Sequence, residues 1–249
     1  MLEYVYFTNR VKYEKIFDTF ASDEMQCLAG NHIQQGNMFG LMVMGDVSNY
    51  SNLEQHRIIY ESLVKLTLHE VGHTLGLSHN FYSSKLHSFK NIHQRHITEP
   101  VGLTSSVMDY VSANVGINSK NHGQFYTTTP GPYDIWAIEF GYTPEHLNPE
   151  DEKNRVSNLL NKSVKNEYRY GNDADDMRSA GKAIDPRIMI ADMSDDPVAY
   201  AQQRMDIIRS TYPTLSKRFE IKGESYHALR DAFSVLNGEY SNCTRIISR

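Results

Sequence analysis

The chain has 249 residues and a formal net charge of −5 at pH 7. This length is enough for one large domain, or for two subdomains around a cleft, with a sizeable core. The acidic balance offers no basic surface to a phosphate backbone, which argues against nucleic acid as a partner, and no apolar run approaches the ~18 residues of a transmembrane helix.

The first element predicted along the chain is a strand at residues 37–45. These residues are mostly apolar and are bounded by glycines and Asp46, which is a pattern typical of strands. The strand could present a free edge or lie inside a sheet. Its residues alone do not distinguish these two positions.

A long helix is predicted to begin at Ser51 and to run to about Leu75. Ser51 and Glu54 have the spacing of a capping box, in which the hydroxyl accepts a backbone hydrogen bond and the carboxylate reaches back to the start of the helix. The apolar side chains expected to hold this helix against the core are Ile58, Ile59, Leu63, Leu66 and Val71.

The end of this helix carries His69, Glu70 and His73. The two histidines are four residues apart, so their imidazoles lie about 40° apart around the helix axis and both can reach one metal ion. Glu70 lies about 100° round the axis from His69, too far for a third ligand but close enough to hydrogen-bond a water on that ion. The pattern predicts a zinc site with its catalytic base.

His79 is a candidate third ligand provided that the helix ends before it. In a continuous helix His79 would lie about 15 Å along the axis from His69, whereas a Zn–N bond is about 2.0 Å. Gly76 can supply the break, since glycine readily adopts the left-handed conformation that ends helices. Three histidines would leave one zinc position open for water, which is the catalytic arrangement.

The next motif is the sequence Ser-Val-Met-Asp-Tyr at residues 106–110. Together with the run from His69 to His79 it resembles the metzincins, a group of zinc metallopeptidases with an H-E-x-x-H-x-x-G-x-x-H pattern and a downstream Met-turn. In astacin-like and serralysin-like members the S-x-M-x-Y form places a tyrosine near the zinc, a role that the resemblance implies for Tyr110. Tyr110 could equally be a core aromatic, and Met108 is expected to pack beneath the site without binding the metal.

Within this group the chain most resembles the C-terminal metzincin-type domain of large bacterial zinc-dependent metalloproteases. The residues that carry this resemblance are 72–81, 105–110 and 131–138. The resemblance extends over roughly residues 37–211. It implies an α+β fold, with a short sheet and the active-site helix in an N-terminal subdomain at residues 1–79 and a mainly helical C-terminal subdomain at residues 80–249.

The same resemblance implies how the protein would meet its substrate. An extended peptide would add itself as a further strand beside residues 37–45. Proteases of this kind are exported, so a secreted, periplasmic or cell-surface location is expected, although the chain does not begin with a secretory signal.

The function predicted on these grounds is zinc-dependent hydrolysis of bonds inside a peptide or protein substrate. His69, His73 and His79 would hold Zn²⁺, Glu70 would take the proton of the metal-activated water, and Tyr110 would stabilise the oxyanion. The alternative is a truncated, catalytically inert zinc-binding module that acts by binding a partner. Only 68 residues precede His69, which is short for the upper subdomain of a metzincin.

Further helices are predicted after the second motif, at residues 132–140, 149–163, 197–210 and 224–237. The first of them is expected to form the floor of the active site through Ile135, Trp136 and Ile138. His87, His93 and His96 could indicate a second metal site, but only the last two could share one helical face, so they are interpreted as surface histidines of a loop.

Residues 172–176 contain clustered aspartates that could bind calcium. They lack the glycine and the distal glutamate of an EF-hand loop, so a solvated acidic loop or helix start is the alternative.

The two cysteines, Cys27 and Cys243, could form a bridge or remain as free buried thiols. Some metzincins hold a propeptide cysteine on the zinc, but the residues around Cys27 do not match the usual inhibitory motif.

Overall fold

A computed structural model of the chain describes residues 27–45, 50–117, 122–176 and 185–249. These residues contain eight α-helices: α1 at Ala29–Met44, α2 at Asn52–Thr74, α3 at Arg95–Thr98, α4 at Pro132–Tyr142, α5 at Pro149–Leu160, α6 at Pro197–Thr211, α7 at Leu215–Phe219 and α8 at His227–Ile247. Shorter 3-10 turns occupy Ser83–Leu86, Asn161–Val164, Asn166–Tyr168 and Tyr212–Thr214. None of the described helices has the length and apolar composition that crossing a membrane requires.

The predicted N-terminal sheet is wrong for the part of the chain that the structure describes. That part contains no strand, and its β pairing is limited to one isolated antiparallel bridge between Gln94 and His122. Residues 37–45 belong to α1 and to Gly45, which follows it. Residues 1–26, where the rest of the predicted sheet would fall, lie outside the described residues. The described fold is therefore helical, not α+β.

The apolar run of α1 forms a helix because its buried positions repeat with the helical period and do not alternate. Buried residues three and four positions apart are Ala29, Ile33, Gly36, Gly40 and Val43. A Cβ atom on Gly36 would lie 2.4 Å from the hydroxyl oxygen of Tyr126, and one on Gly40 would lie 2.4 Å from Cδ1 of Ile58. These glycines let α1 pack closely against its neighbours.

Helices α1, α2, α6 and α8 surround the main core, with α1 packed on α2 and α8 packed on α6. A buried ion pair joins α6 to α8, with Arg204 Nε 2.5 Å from Glu239 Oε1. Arg204 also donates through Nη1 to the carbonyl of Ala113 at 2.8 Å. The buried residues of this core include Phe39, Met42, Ile58, Val115, Phe125, Tyr126, Ile207, Ile208 and Leu236.

Five predicted helices are confirmed; they correspond to α2, α4, α5, α6 and α8. The ends of the first four differ from the prediction by at most three residues, whereas α8 begins three residues later and ends ten residues later than predicted. The burial expected for their apolar residues is partly wrong. Leu63, Val71 and Ile135 are exposed, whereas Ile58 is buried. Ile135 therefore points to solvent, and the floor of the site is not built on it.

Residues 102–116 are buried throughout although they form neither helix nor strand. A buried backbone of this kind must find hydrogen-bond partners outside a regular ladder. Here side chains supply many of them: Lys65 of α2 donates to the carbonyls of Val107 and Asp109, and Asp134 of α4 accepts from the amide of Val107. These contacts hold residues 106–110 in place beside α2.

Candidate metal centre

The end of α2 turns the chain back toward the helix. Gly76 has a φ of +82°, its N–H donates to the carbonyl of His73 at 3.0 Å, and the N–H of Leu77 donates to that of Gly72 at 3.0 Å. This pair of bonds is a Schellman motif, which requires a residue in the left-handed conformation at the position of Gly76. The predicted break at Gly76 is confirmed, and it allows His79 to return to the face of α2.

Four potential metal ligands meet beside this turn. One ligating atom from each of Cys27, His69, His73 and His79 lies within 4.8 Å of the other three. Among the described residues this is the one group of three or more histidine, cysteine or carboxylate side chains arranged to hold a metal ion. Imidazole nitrogen and thiolate sulfur are typical ligands of zinc, so the donor set suits that metal.

The three histidines are oriented alike, because each points its Nδ1 away from the cluster toward an oxygen. The acceptors are Val107 O at 2.8 Å from His69, Leu77 O at 3.0 Å from His73 and Asp173 Oδ2 at 2.7 Å from His79. Histidines that bind metals commonly use the second ring nitrogen in this way, which fixes the tautomer and leaves Nε2 to face the metal. His73 Nε2 is buried without a hydrogen-bond partner among the described residues. A metal ion would satisfy this nitrogen.

The protonation of His69 and His79 differs because their surroundings differ. Burial and the nearby ammonium of Lys65 strongly lower the pKa of His69, so its imidazole is neutral and able to bind a metal. Burial also lowers the pKa of His79, but the hydrogen bond with Asp173 and the neighbouring Cys27 raise it overall to about 9. Metal binding would therefore release a proton from His79.

Met108 packs directly beneath the end of α2. It is fully buried, and a Cβ atom added to Gly72 would lie 2.4 Å from its sulfur. Gly72 therefore allows the side chain of Met108 to approach the helix between His69 and His73. The thioether forms part of the packing against α2 at Gly72.

Asp134 holds the turn that carries Met108. Its Oδ1 accepts from the hydroxyl of Ser106 at 2.6 Å, and its Oδ2 accepts from the amides of Val107 and Gly131, both at 2.8 Å. The carbonyl of the same Val107 accepts from Nδ1 of His69. The position of His69 is thus connected through one residue, Val107, to the first turn of α4.

Tyr110 reaches the cluster with its hydroxyl, although its ring is buried. The hydroxyl oxygen lies 2.8 Å from His79 Nε2 and 3.4 Å from Cys27 Sγ, and it accepts from the amide of Leu28 at 3.0 Å. The ring stacks on His32 and contacts Phe81. Tyr110 therefore combines the two positions considered for it, since it packs in the core and also touches a candidate ligand.

Glu70 lies on the exposed side of α2, next to the buried His69. The structure brings His69, His73, His79 and Tyr110 together and leaves the side chain of Glu70 exposed to solvent. A base that receives a proton from a water and returns it to a leaving group needs such access.

Sequence reasoning gave little weight to Cys27 and did not identify Asp173 as a partner of a histidine. Cys27 is 42 residues from His69, and Asp173 is 94 residues from His79. No local spacing could have connected these pairs. The aspartates at residues 172–176 form no metal-binding group of their own among the described residues.

The prediction that His87, His93 and His96 are surface histidines is wrong for the first two. His87 is buried and hydrogen-bonds the carbonyl of Gly102 at 2.8 Å, and His93 is half-buried with Nε2 at 2.9 Å from Gln203. Only His96 is exposed, as expected of a surface loop. Their contacts are structural, and they lie outside the ligand cluster.

Comparison with known proteins identifies a family for most of the chain. The sequence model of a family described as Met-zincin matches residues 51–249, which include α2, His79 and the turn at residues 106–110. No curated protein and no solved structure matches the chain.

Proposed function

We propose that this chain, which belongs to the Met-zincin family, is a zinc-dependent endopeptidase. Membership in the family implies a zinc peptidase in general terms. The observation that supports the more specific proposal is the convergence of three imidazoles whose Nδ1 atoms are all engaged by outer acceptors. In this proposal His69, His73 and His79 hold the metal.

Zinc at this position would polarise the scissile carbonyl and lower the pKa of a water molecule. The residues of the chain perform the remaining tasks. Glu70 accepts a proton from the attacking water and later donates it to the leaving amine, which its exposed position beside His69 permits. Tyr110 donates its hydroxyl hydrogen to the oxyanion that develops on the former carbonyl.

The substrate in this proposal is a peptide or protein that approaches the exposed side of α2 at Glu70. The expected pairing of the peptide with a strand at residues 37–45 is wrong, because residues 37–44 belong to α1.

A second candidate function is a zinc-binding module without catalytic activity. It is favoured by one observation: the described residues contain no strand, and so no strand edge beside the histidines on which a peptide could pair. Such a module would bind zinc through the same three histidines but would hydrolyse nothing.

The test combines metal analysis with an unbiased peptide library. We expect about one zinc per chain and cleavage inside the peptides. His79→Ala should sharply lower zinc affinity, whereas His93→Ala, outside the cluster, should leave it unchanged. Equal zinc retention in both variants would refute the three-histidine site, and zinc binding with no cleavage of any peptide, by the unmutated chain or by Cys27→Ala, would select the inert module.

A further inference from the structure

We propose that Cys27 supplies a fourth protein ligand to the metal and that the described conformation is the closed form of the site. This inference rests on the proposed zinc site of His69, His73 and His79. It adds Cys27, two residues before α1, to the ligands, and it predicts that this thiol controls access to the metal.

The distances from Cys27 are those expected of a shared metal ion. Cys27 Sγ lies 3.2 Å from His69 Nε2 and 3.9 Å from His79 Nε2. In a tetrahedral site with Zn–S of about 2.3 Å and Zn–N of about 2.0 Å, sulfur and nitrogen are about 3.5 Å apart. The two observed separations lie on either side of this value. His73 contributes a third nitrogen within the same 4.8 Å group, and that nitrogen has no other partner among the described residues.

The position of Cys27 is set by the core. The amide of the next residue, Leu28, donates to the hydroxyl of Tyr110 at 3.0 Å. Ala29, the first residue of α1, is buried in a cluster with Phe81 and Tyr110, and Cys27 packs against this cluster. Because α1 itself packs on α2, the thiol is attached to the same framework as the histidines.

A fourth protein ligand changes what the site can do. Zinc sites with four protein ligands are closed and structural, whereas catalytic sites retain a position for water or substrate. When Cys27 binds, its S–H bond breaks, the proton passes to solvent, and a metal–sulfur bond forms. Hydrolysis would require the reverse step, in which Cys27 leaves the metal, takes up a proton and frees both the fourth position and the hydroxyl of Tyr110.

X-ray absorption of the zinc-loaded full chain tests the ligand directly. We expect a sulfur scatterer at about 2.3 Å in addition to nitrogen at about 2.0 Å. The chain has two cysteines, so the sulfur signal should disappear in Cys27→Ala and persist in the matched variant Cys243→Ala. Bound zinc with only nitrogen and oxygen ligands in the unmutated chain would overturn the role of Cys27 and leave the three-histidine site standing. Failure to bind zinc at all would refute the proposed function itself.

Peptidase rates test the closure. The zinc-loaded Cys27→Ala variant should cleave library peptides several-fold faster than the unmutated chain, while Cys243→Ala should match the unmutated chain. Equal rates for Cys27→Ala and the unmutated chain would overturn the claim that Cys27 blocks the site.

A separate observation leads us to infer that Asp173 is a positioning residue for His79. Its Oδ2 lies 2.7 Å from His79 Nδ1, whereas Nδ1 of His69 and of His73 faces a backbone carbonyl. Carboxylates that accept from a metal-bound histidine fix its ring and raise its basicity as a ligand.

The loop that carries Asp173 is fastened to the chain just after His79. The amide of Phe81 donates to the carbonyl of Gly171 at 2.7 Å, the side chain of Asn80 donates to the carbonyl of Arg169 at 3.0 Å, and it accepts from the amide of Gly171 at 3.2 Å. The carboxylate of Asp173 is thus held beside His79 by backbone contacts, even though the side chain is 55% exposed.

Zinc affinity measured by competition with a chelator tests this role. Asp173→Ala should lower the affinity about 10- to 100-fold. Asp173→Asn should recover part of it, because its amide oxygen can accept from Nδ1 of His79. The control Asp175→Asn, in the same loop, should bind zinc like the unmutated chain. Unchanged zinc affinity in Asp173→Ala would overturn the positioning role of Asp173, and so would equal losses in the Ala and Asn variants. The zinc bound by the unmutated chain tests the proposed function separately.

Discussion

The two faces of α2 differ in a way that reverses the usual amphipathic helix. The inner face, which is buried, consists of Ile58, Glu61, Ser62, Lys65, His69 and Gly72. The outer face carries large apolar side chains that are exposed, namely Leu53, Tyr60, Leu63 and Val71. At 100° per residue these two sets lie on opposite sides of the helix.

The inner face is polar because of what packs against it. Residues 102–116 and 122–127 are buried segments without a β ladder, so their backbone groups need other partners. Glu61 Oε2 accepts from the amides of Phe125 and Tyr126 at 2.6 and 3.1 Å, and Lys65 donates to the carbonyls of Val107 and Asp109. This helix is therefore held in place by hydrogen bonds to loops as well as by apolar packing.

The largest effect is expected at the border of the outer face, where Glu70→Ala should abolish most activity without loss of zinc. General base catalysis typically contributes about 10² to 10⁴ in rate. The folded state should change little, since Glu70 is exposed and alanine is the better helix former. Glu70→Ala should be made both alone and together with Cys27→Ala, and the peptidase rate, the bound zinc and the thermal stability should be measured for each protein and its parent. Loss of zinc along with activity would identify Glu70 as a ligand.

The next largest effect is expected on the free energy of unfolding, from a substitution on the inner face. Lys65→Met removes the ammonium that donates to Asp109 O and lies near the buried carboxylates of Asp109 and Asp134. An unpaired buried acceptor alone costs about 1–3 kcal/mol, so we expect a loss of about 3 kcal/mol in the free energy of unfolding. Denaturant titration provides the measurement.

The matched substitution on the outer face is Leu63→Ser, which replaces an apolar residue with a polar one at an exposed position. It should change the free energy of unfolding by no more than about 0.5 kcal/mol. If Leu63→Ser proved as destabilising as Lys65→Met, the proposed difference between the two faces would be wrong.

A smaller effect should separate packing from chemistry at Tyr110, whose ring faces the buried cluster. Tyr110→Phe keeps the ring contacts with His32 and Phe81 but removes the hydroxyl. If the hydroxyl stabilises the oxyanion, the rate constant should fall about 10-fold or more. Steady-state kinetics with one cleaved library peptide would measure it, and an unchanged rate would leave Tyr110 with a packing role.

Apart from the control Leu63→Ser, the smallest effect is expected at the exposed start of α2. Ser51 accepts from the amide of Glu54 at 3.4 Å, and the Glu54 carboxylate accepts from the amide of Ser51 at 3.0 Å. Ser51→Ala removes half of this capping box and should cost about 1 kcal/mol of stability. Thermal unfolding would detect it, and a cost equal to that of Lys65→Met would contradict the ranking.

The features of α2 that depend on near neighbours could be predicted from the sequence. The capping box at Ser51, the placement of His69 and His73 one turn apart, and the left-handed turn at Gly76 each involve residues no more than six positions apart. Backbone geometry alone determines such relations. For the same reason the helical patterns after residue 132 led to the correct elements.

Only the tertiary structure decided which face of α2 is buried and which distant residues complete the cluster. Residues 37–45 are compatible with a buried strand or a buried helix, since a short apolar run carries little periodic information, and close packing at Gly36 and Gly40 selects the helix. Cys27 reaches His69 and Asp173 reaches His79 only through the path of the whole chain, because residues so far apart meet by packing and not by any local spacing.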